Sequence, residues 1–179
     1  MNIGGTFSHP ETNLKAVGIT ENMIVADLGS GSGHYAKAAA HMVGAEGRVY
    51  AVDVQKELVR RLSEQAQTEH SHNIEVLHGD IEAIGGSKIG NDTADVTLLC
   101  NVLFQVENKK DLITEAMRIT RANGRVVVID WSDSHFGLGP DQSLIVPEET
   151  VQELFSNRSE FVSSFEAGDH HYGLIFRKQ

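Results

Sequence analysis

Val25-Ala26-Asp27-Leu28-Gly29-Ser30-Gly31-Ser32-Gly33-His34-Tyr35-Ala36 decides the fold: an apolar run ends in an acid and three alternating glycines, and helix-forming residues follow. The order reads as strand, tight turn and helix start. Glycine has no Cβ, so it admits positive φ and lets a ligand lie against the backbone. The helix beginning just beyond offers N–H groups that have no intrahelical partner. Such a turn is a seat for a nucleotide-like ligand. It does not choose the ligand, because Gly31-Ser32-Gly33-His34-Tyr35-Ala36 also satisfies the Ala-terminated dinucleotide fingerprint. A strand-to-helix turn that merely needs glycine is the plain structural alternative.

Outward from this turn, strand and helix signals alternate. Val49-Tyr50-Ala51-Val52-Asp53 is a second apolar run, followed by Leu58, Val59, Leu62 and Ala66 at helical spacing. Residues 73–80 predict a third strand, and residues 94–102 a fourth that is apolar on both faces, as buried parallel strands are. Residues 111–121 predict a helix with Leu112, Ile113, Ala116, Met117 and Ile119 on one side, stopped by Asn123-Gly124. A fifth strand is expected over 125–131, then a long loop over 132–147 and a short helix from Pro147 to near Phe155. Two further strands, 160–166 and 172–177, should meet around Gly168-Asp169. The expected architecture is α/β: a doubly wound, Rossmann-like, mostly parallel seven-stranded sheet with a C-terminal antiparallel strand. Its 179 residues, with no repeat or linker, suit a single domain over 1–179.

Composition narrows the function. The formal charge of -10 disfavours nonspecific binding to phosphate backbones, and Lys109-Lys110 and Arg60-Arg61 read as ordinary charge on helix surfaces. No apolar run approaches the roughly 20 residues of a membrane span, and there is no basic, apolar signal segment at the start, so a soluble cytoplasmic protein is expected. The single cysteine, Cys100, lies in an apolar run and reads as a buried structural thiol. The nine histidines lack metal-ligand spacing, so no metal site is expected, and His70 and His72 mark a solvated helix end.

In an open α/β sheet, ligands sit beyond the carboxyl ends of the parallel strands. Here those ends carry Asp27, Asp53, Asp80, Asn101 and Trp131. Taken in order, VADLGSGSGHYA, AVD at Asp53, HGD at Asp80, DVTLLCNVLFQV and NGRVVVIDW resemble class I S-adenosylmethionine-dependent methyltransferases, and within them the small ubiquinone and menaquinone pathway branch. The resemblance implies S-adenosylmethionine as cofactor. It implies that Gly29, Ser30, Gly31 and Gly33 contact its amino-acid part, with Asp27 anchoring the loop. It implies that Val54 flanks the adenine, that Asp80 accepts from the adenine amine with Ile81 beside it, and that Asn101 stands where cofactor and substrate meet. Asp53 follows Gly33 by 20 residues and can accept from both ribose hydroxyls, since a carboxylate has two oxygens and no donor; a cap before Gln55 is its structural alternative. An arsenic-methylating branch is set aside because its several reactive cysteines have no counterparts here.

Two features favour methyl transfer over an NAD-binding oxidoreductase. An acid just before the turn tolerates an ammonium but would repel a diphosphate, and the chain lacks room for a separate substrate domain. A non-catalytic module that binds the cofactor to regulate a partner is the third reading. On the acceptor side, an antiparallel last strand brings its first residues to the cofactor edge of the sheet, so His170, His171 and Tyr172 point there. Either histidine can act as a base near neutral pH, and Tyr172 can position an acceptor; His171 and Tyr172 are the catalytic candidates. Trp131, His135 and Phe136 are expected to wall the acceptor pocket, and residues 4–10 to fold over the cofactor or fray. The acceptor is expected to be a small molecule; its identity and the oligomeric state are not written in the sequence.

Overall fold

Five apolar runs pair side by side as parallel strands: β1 (Ile24–Leu28), β2 (Arg48–Asp53), β3 (Ile74–His78), β4 (Ala94–Cys100) and β5 (Thr120–Trp131). The computed structural model describes residues 9–134 and 139–179. With β6 (Ser159–Gly168) and β7 (His171–Lys178) the strands form one seven-stranded sheet in the order β3-β2-β1-β4-β5-β7-β6. β7 is antiparallel to both neighbours, as the hairpin at its start requires. This is the doubly wound topology expected from the alternating pattern.

Parallel strands need crossovers, and the crossovers cover both faces with helices. One face packs α1 (Pro10–Val17), α2 (His34–Val43) and α3 (Lys56–Thr68) through Leu14, Ala36, Val43 and Leu62 onto Val25, Leu98 and Ile129. The other packs α4 (Lys109–Ile119) and α5 (Glu148–Phe155) through Leu112, Ile113 and Phe155 onto Leu28, Leu99, Val128 and Leu174. Phe155 stacks on Phe176 with ring centroids 4.0 Å apart. Burying a Leu, Ile or Phe in these layers contributes about 1.5–3 kcal/mol each, so the central strands form a rigid platform for what lies at their ends.

The boundary between α4 and β5 differs from the expectation. The helix ends at Ile119 rather than at residue 121, and the strand begins at Thr120 rather than at Arg125. Thr120 is the reason: its buried hydroxyl donates to the Ala116 carbonyl at 2.7 Å and lies 2.7 Å from the Thr97 hydroxyl, so the last helical turn is tied off against β4. Thr120 then pairs with Ala94, and the ladder resumes at Val96 and Arg125. The extra residues bulge through Asn123, at φ 61°.

A buried acid organises the loop after β3. Glu115 of α4 is fully buried, and its carboxylate accepts from the Gly85 and Ser87 N–H groups, the Ser87 hydroxyl and the Arg118 guanidinium. Arg118 also donates to the Ile89 carbonyl and the Asn91 side chain. One ion pair thus fastens the segment that leads out of Asp80 and Ile81.

Candidate functional site

β1 lies between β2 and β4, so the chain turns one way from β1 to β2 and β3 and the other way to β4 and β5. That reversal opens a crevice above the carboxyl ends of β1 and β4, where the glycine turn and Asn101 sit. The turn is held by its neighbour: the Gly29 and Ser30 N–H groups donate to the Val52 carbonyl at 2.8 and 2.9 Å, and the Gly31 N–H to Asp53 Oδ2 at 2.9 Å. The other Asp53 oxygen accepts from the Gln55 N–H at 2.8 Å. Asp53 therefore steadies the glycine turn and the approach to α3, whose N-cap is Gln55. Each oxygen keeps a second lone pair for a ribose hydroxyl.

The three glycines serve different needs. A Cβ on Gly33 would stand 2.3 Å from Leu62, and one on Gly29 would stand 2.7 Å from Val102. These two are glycines because α3 and the β4 loop press on the turn. Gly31, at φ 53°, would meet nothing within 4 Å, so its open Cα face looks into the crevice.

A cleft of about 500 Å³ gathers Asp27, Gly29, Ser30, Gly31, Asn101, Trp131 and His171. That size lies within the roughly 300–1,000 Å³ of small-molecule sites. Among the described residues, the buried side-chain nitrogen and oxygen atoms without a hydrogen-bond partner are Asp27 Oδ2, Ser30 Oγ, Asn101 Oδ1 and His171 Nε2, and every one belongs to this cleft. A buried polar atom left unpaired costs about 1–3 kcal/mol. Their concentration at one place is the mark of a site built to meet a polar ligand. Pro10, the last residue of the segment expected to fold over the cofactor or fray, lines the cleft, and so do Tyr35, Cys100, Gln105, Ser32 and His34, which the sequence does not single out for it. Tyr35 is the second residue of α2, one helical position from the turn, which is the signal that would have found it.

Burial dominates the electrostatics here. It pushes the Asp27 carboxyl up to about 7, opposed by the Ala36 N–H and helped by the nearby Asp53 charge. Burial likewise raises the Asp130 carboxyl to about 6, against the Trp131 and Leu103 N–H groups that it accepts at 2.8 Å. Asp130 thereby ties the turn after Asn101 to the end of β5, which fixes Asn101 and Trp131 relative to each other. The Cys100 thiol is driven well above its ordinary value by burial and by Asp27 and Asp130, so it stays protonated.

The expected adenosine residues stand beside this cleft rather than within its lining. Val54 is 59 % exposed, a flat apolar shelf at the end of β2, with His78 Nε2 3.0 Å from its carbonyl. Asp80 is exposed and accepts from the Glu82 N–H at 2.9 Å, while Ile81 is buried against Gly29 and Val102. Gly33 faces Leu62 and supports the turn from below.

On the acceptor side, the antiparallel β7 delivers His171 to the cleft as the topology requires. Its Nδ1 lies 3.0 Å from the Asp169 carbonyl, which can only accept, so Nδ1 carries the proton and the unpartnered Nε2 carries a lone pair. Burial lowers the His171 pKa below its ordinary value, which keeps the ring neutral. Trp131 packs on this ring with centroids 4.2 Å apart, and Gly139 lies flat against the indole, where a Cβ would come within 2.7 Å. Tyr172 turns to the opposite face. Its hydroxyl donates to the Val146 carbonyl at 2.8 Å, and burial raises its pKa, so it braces the segment at Val146 and keeps its proton. His170 pairs with Asp133 at 2.6 Å. His135, Phe136 and residues 4–8 lie outside the described residues.

A family model described as a methyltransferase domain matches residues 19–174. Human arsenite methyltransferase is 30% identical over 117 residues, covering 62% of this chain and 31% of that protein. A ubiquinone/menaquinone biosynthesis C-methyltransferase from Hydrogenovibrio crunogenus is 28% identical over 120 residues, covering 66% of this chain and 46% of that protein. The chain thus spans less than half the length of these two curated relatives. The crystal structure of a SAM-dependent methyltransferase from Aquifex aeolicus is similar with a TM-score of 0.89 and 25% identity, over 100% of this chain and 94% of that one. The expected likeness to the quinone-pathway branch is present, and a likeness to arsenite methyltransferases stands beside it, so the two branches are not separated by overall similarity. Nothing in these likenesses favours the oxidoreductase or the non-catalytic reading. With its glycine turn, its carboxylate-tipped strands and the matched span of 156 residues from 19 to 174, the chain belongs to the methyltransferase domain family.

Proposed function

We propose that this chain moves a methyl group from S-adenosylmethionine to a small-molecule acceptor. The observation that carries the reading is the convergence on the cleft over the glycine turn of all four unpartnered buried side-chain polar atoms among the described residues. Their chemistry fits that cofactor. Asp27 Oδ2 and Asn101 Oδ1 are acceptors for an ammonium, Ser30 Oγ is a donor for a carboxylate, and the open face of Gly31 leaves room for the ligand backbone. Val54, Asp80 and Ile81 supply a ledge for adenosine, with Asp53 below the ribose.

When bound, the cofactor supplies a methyl carbon already activated by a sulfonium. The protein's part is positioning, water exclusion and, where the acceptor must lose a proton, a base. His171 is the group placed for that: its Nε2 is neutral, buried and aimed from the sheet edge that also carries Trp131. Arsenite is a poor fit as acceptor, because trivalent arsenic takes thiolate ligands and the one thiol here is buried and held protonated.

Titration calorimetry with S-adenosylhomocysteine tests the reading. Binding that Asp53→Ala and Gly31→Val largely abolish supports it. Affinity unchanged in both variants overturns the site, and preference for a nicotinamide dinucleotide overturns the cofactor.

A further inference from the structure

A second and larger cleft, about 810 Å³, adjoins the first at His171, which lines both. It opens between the start of α1, the start of α5 and the β6–β7 hairpin. Its charged rim is of one sign: Glu148, Glu166 and Asp169 line it, and among the described residues no lysine or arginine does. The histidines at its edge are His9, His170 and His171, and His170 is turned to Asp133.

Carboxylates on a rim are ordinarily solvated surface, and Glu148 also suits the first turn of α5. The second observation is His171. It is 5 % exposed, and its Nε2 is a lone-pair acceptor with no partner at the junction of the two clefts. An acidic vestibule leading to a buried, neutral acceptor nitrogen is chemically matched to a ligand that carries positive charge at the entrance and gives up a proton at the end. Trp131, packed on His171, adds an aromatic face that attracts cations.

Resting on the methyl-transfer reading above, we infer that the acceptor is a small amine, drawn in as an ammonium by Glu148, Glu166 and Asp169 and deprotonated at His171. The balance closes without a further reactant. The amine proton passes to His171 Nε2, the freed nitrogen pair forms the N–C bond to the methyl, the C–S bond breaks with its pair remaining on sulfur, and the sulfonium becomes a thioether. Phenols, carboxylic acids and carbon acids lack the cationic form that the rim selects.

The test uses the full chain saturated with S-adenosylhomocysteine, with binding of that ligand measured first by calorimetry. Ethanolamine, histamine, putrescine and phenethylamine are then titrated against phenol and benzoate, following the ring signals of His170 and His171 by NMR. The expected result is saturable shifts with one or more amines and none with phenol or benzoate. Glu148→Gln combined with Glu166→Gln should weaken the amine about tenfold, fall further with added salt, and leave the S-adenosylhomocysteine affinity within twofold. Shifts with phenol or benzoate, no shift with any amine, or amine binding indifferent to the double substitution overturns the inference while the methyl-transfer reading stands. Failure of S-adenosylhomocysteine to bind at all overturns that reading, and this one with it.

Discussion

Asp27 and Asp53 close adjacent parallel strands in opposite states: both Asp53 oxygens accept backbone N–H groups, whereas Asp27 Oδ2 accepts nothing. Both Asp53 oxygens are taken up by the backbone, whereas Asp27 keeps one oxygen without a partner, the one that the ammonium of the proposed cofactor would meet. Because burial raises the Asp27 pKa to about 7, the free protein holds a proton there that a bound ammonium would expel. Binding of S-adenosylhomocysteine at pH 7 should therefore release about half a proton, and its affinity should rise between pH 6 and 8. Calorimetry in two buffers of different ionisation enthalpy reads this directly. Asp27→Asn should remove the linkage and weaken binding; proton-neutral binding by the unaltered chain would show that no cation meets Asp27.

The same shift acts on stability with a definite sign. A raised folded-state pKa means that the free protein is favoured while Asp27 is protonated, and that contribution is lost as pH climbs from about 4 through about 7. Asp27→Asn should consequently raise the melting temperature of the unliganded protein at pH 8, by on the order of a few kcal/mol of stability, while it lowers ligand affinity. A melting temperature that falls at pH 8 would mean that Asp27 holds the fold together rather than the ligand.

Gly31 and Gly33 separate binding from packing. Gly33→Ala forces a Cβ to 2.3 Å from Leu62 at φ 81°, and should destabilise the chain by roughly 2–4 kcal/mol through strain and overpacking. Gly31→Ala meets no neighbour and bears only the left-handed backbone cost, about 1–2 kcal/mol, but its methyl enters the crevice. Denaturant unfolding should rank Gly33→Ala as the less stable, and calorimetry should rank Gly31→Ala as the weaker binder per unit of stability lost.

The strand-end residues were legible because the chain must place polar groups exactly where a buried parallel strand meets solvent, and period alone marks those places. Asp27, Asn101 and Trp131 are read that way, and His171 from the antiparallel course of the last strand, and they share one cleft. Tyr172 is harder to read, because adjacent residues of a strand point to opposite faces: delivering His171 to the crevice over the glycine turn sends the Tyr172 hydroxyl into the layer beneath α5, although the residue still lines the second cleft. Glu115 was overlooked for a related reason. It shares the α4 stripe with Leu112, Ala116 and Ile119, and the visible signal was an acid inside an apolar face with an arginine three residues on. What it grips, the loop at 85–87, is distant in sequence, and no local pattern announces a tertiary hydrogen bond.

Glu115 makes its own prediction. Burial alone would raise its carboxyl, but Arg118, Ser87 and the Gly85 and Ser87 N–H groups outweigh that and bring it down to about 2. A depressed folded-state pKa gives stability that is present above the ordinary carboxylate value and lost as pH falls from about 4.5 toward 2. Glu115→Ala strands Arg118 and the Gly85 and Ser87 N–H groups and should cost about 3–5 kcal/mol. Glu115→Gln keeps the shape but not the charge and should cost less. Because the freed loop carries Asp80 and Ile81, both variants should also weaken S-adenosylhomocysteine, and hydrogen exchange at residues 80–89 should accelerate more than in β4. Exchange unchanged in that loop would remove Glu115 from the account of the site.

His171 is tested by pH rather than by loss of activity alone. If its neutral Nε2 takes the acceptor proton, kcat/KM must fall at acid pH with an apparent pKa below the ordinary histidine value of about 6.5, since burial is what lowers it. His171→Gln keeps a polar side chain but carries no titratable nitrogen. It should abolish that acid limb and lower kcat by roughly 10²–10⁴ while leaving S-adenosylhomocysteine affinity within a few fold. His170→Gln removes the pair with Asp133 and should leave the limb in place. If the limb survives in His171→Gln and vanishes in His170→Gln, the neighbouring histidine is the base, and the buried lone pair of His171 serves only to receive a hydrogen bond from the ligand.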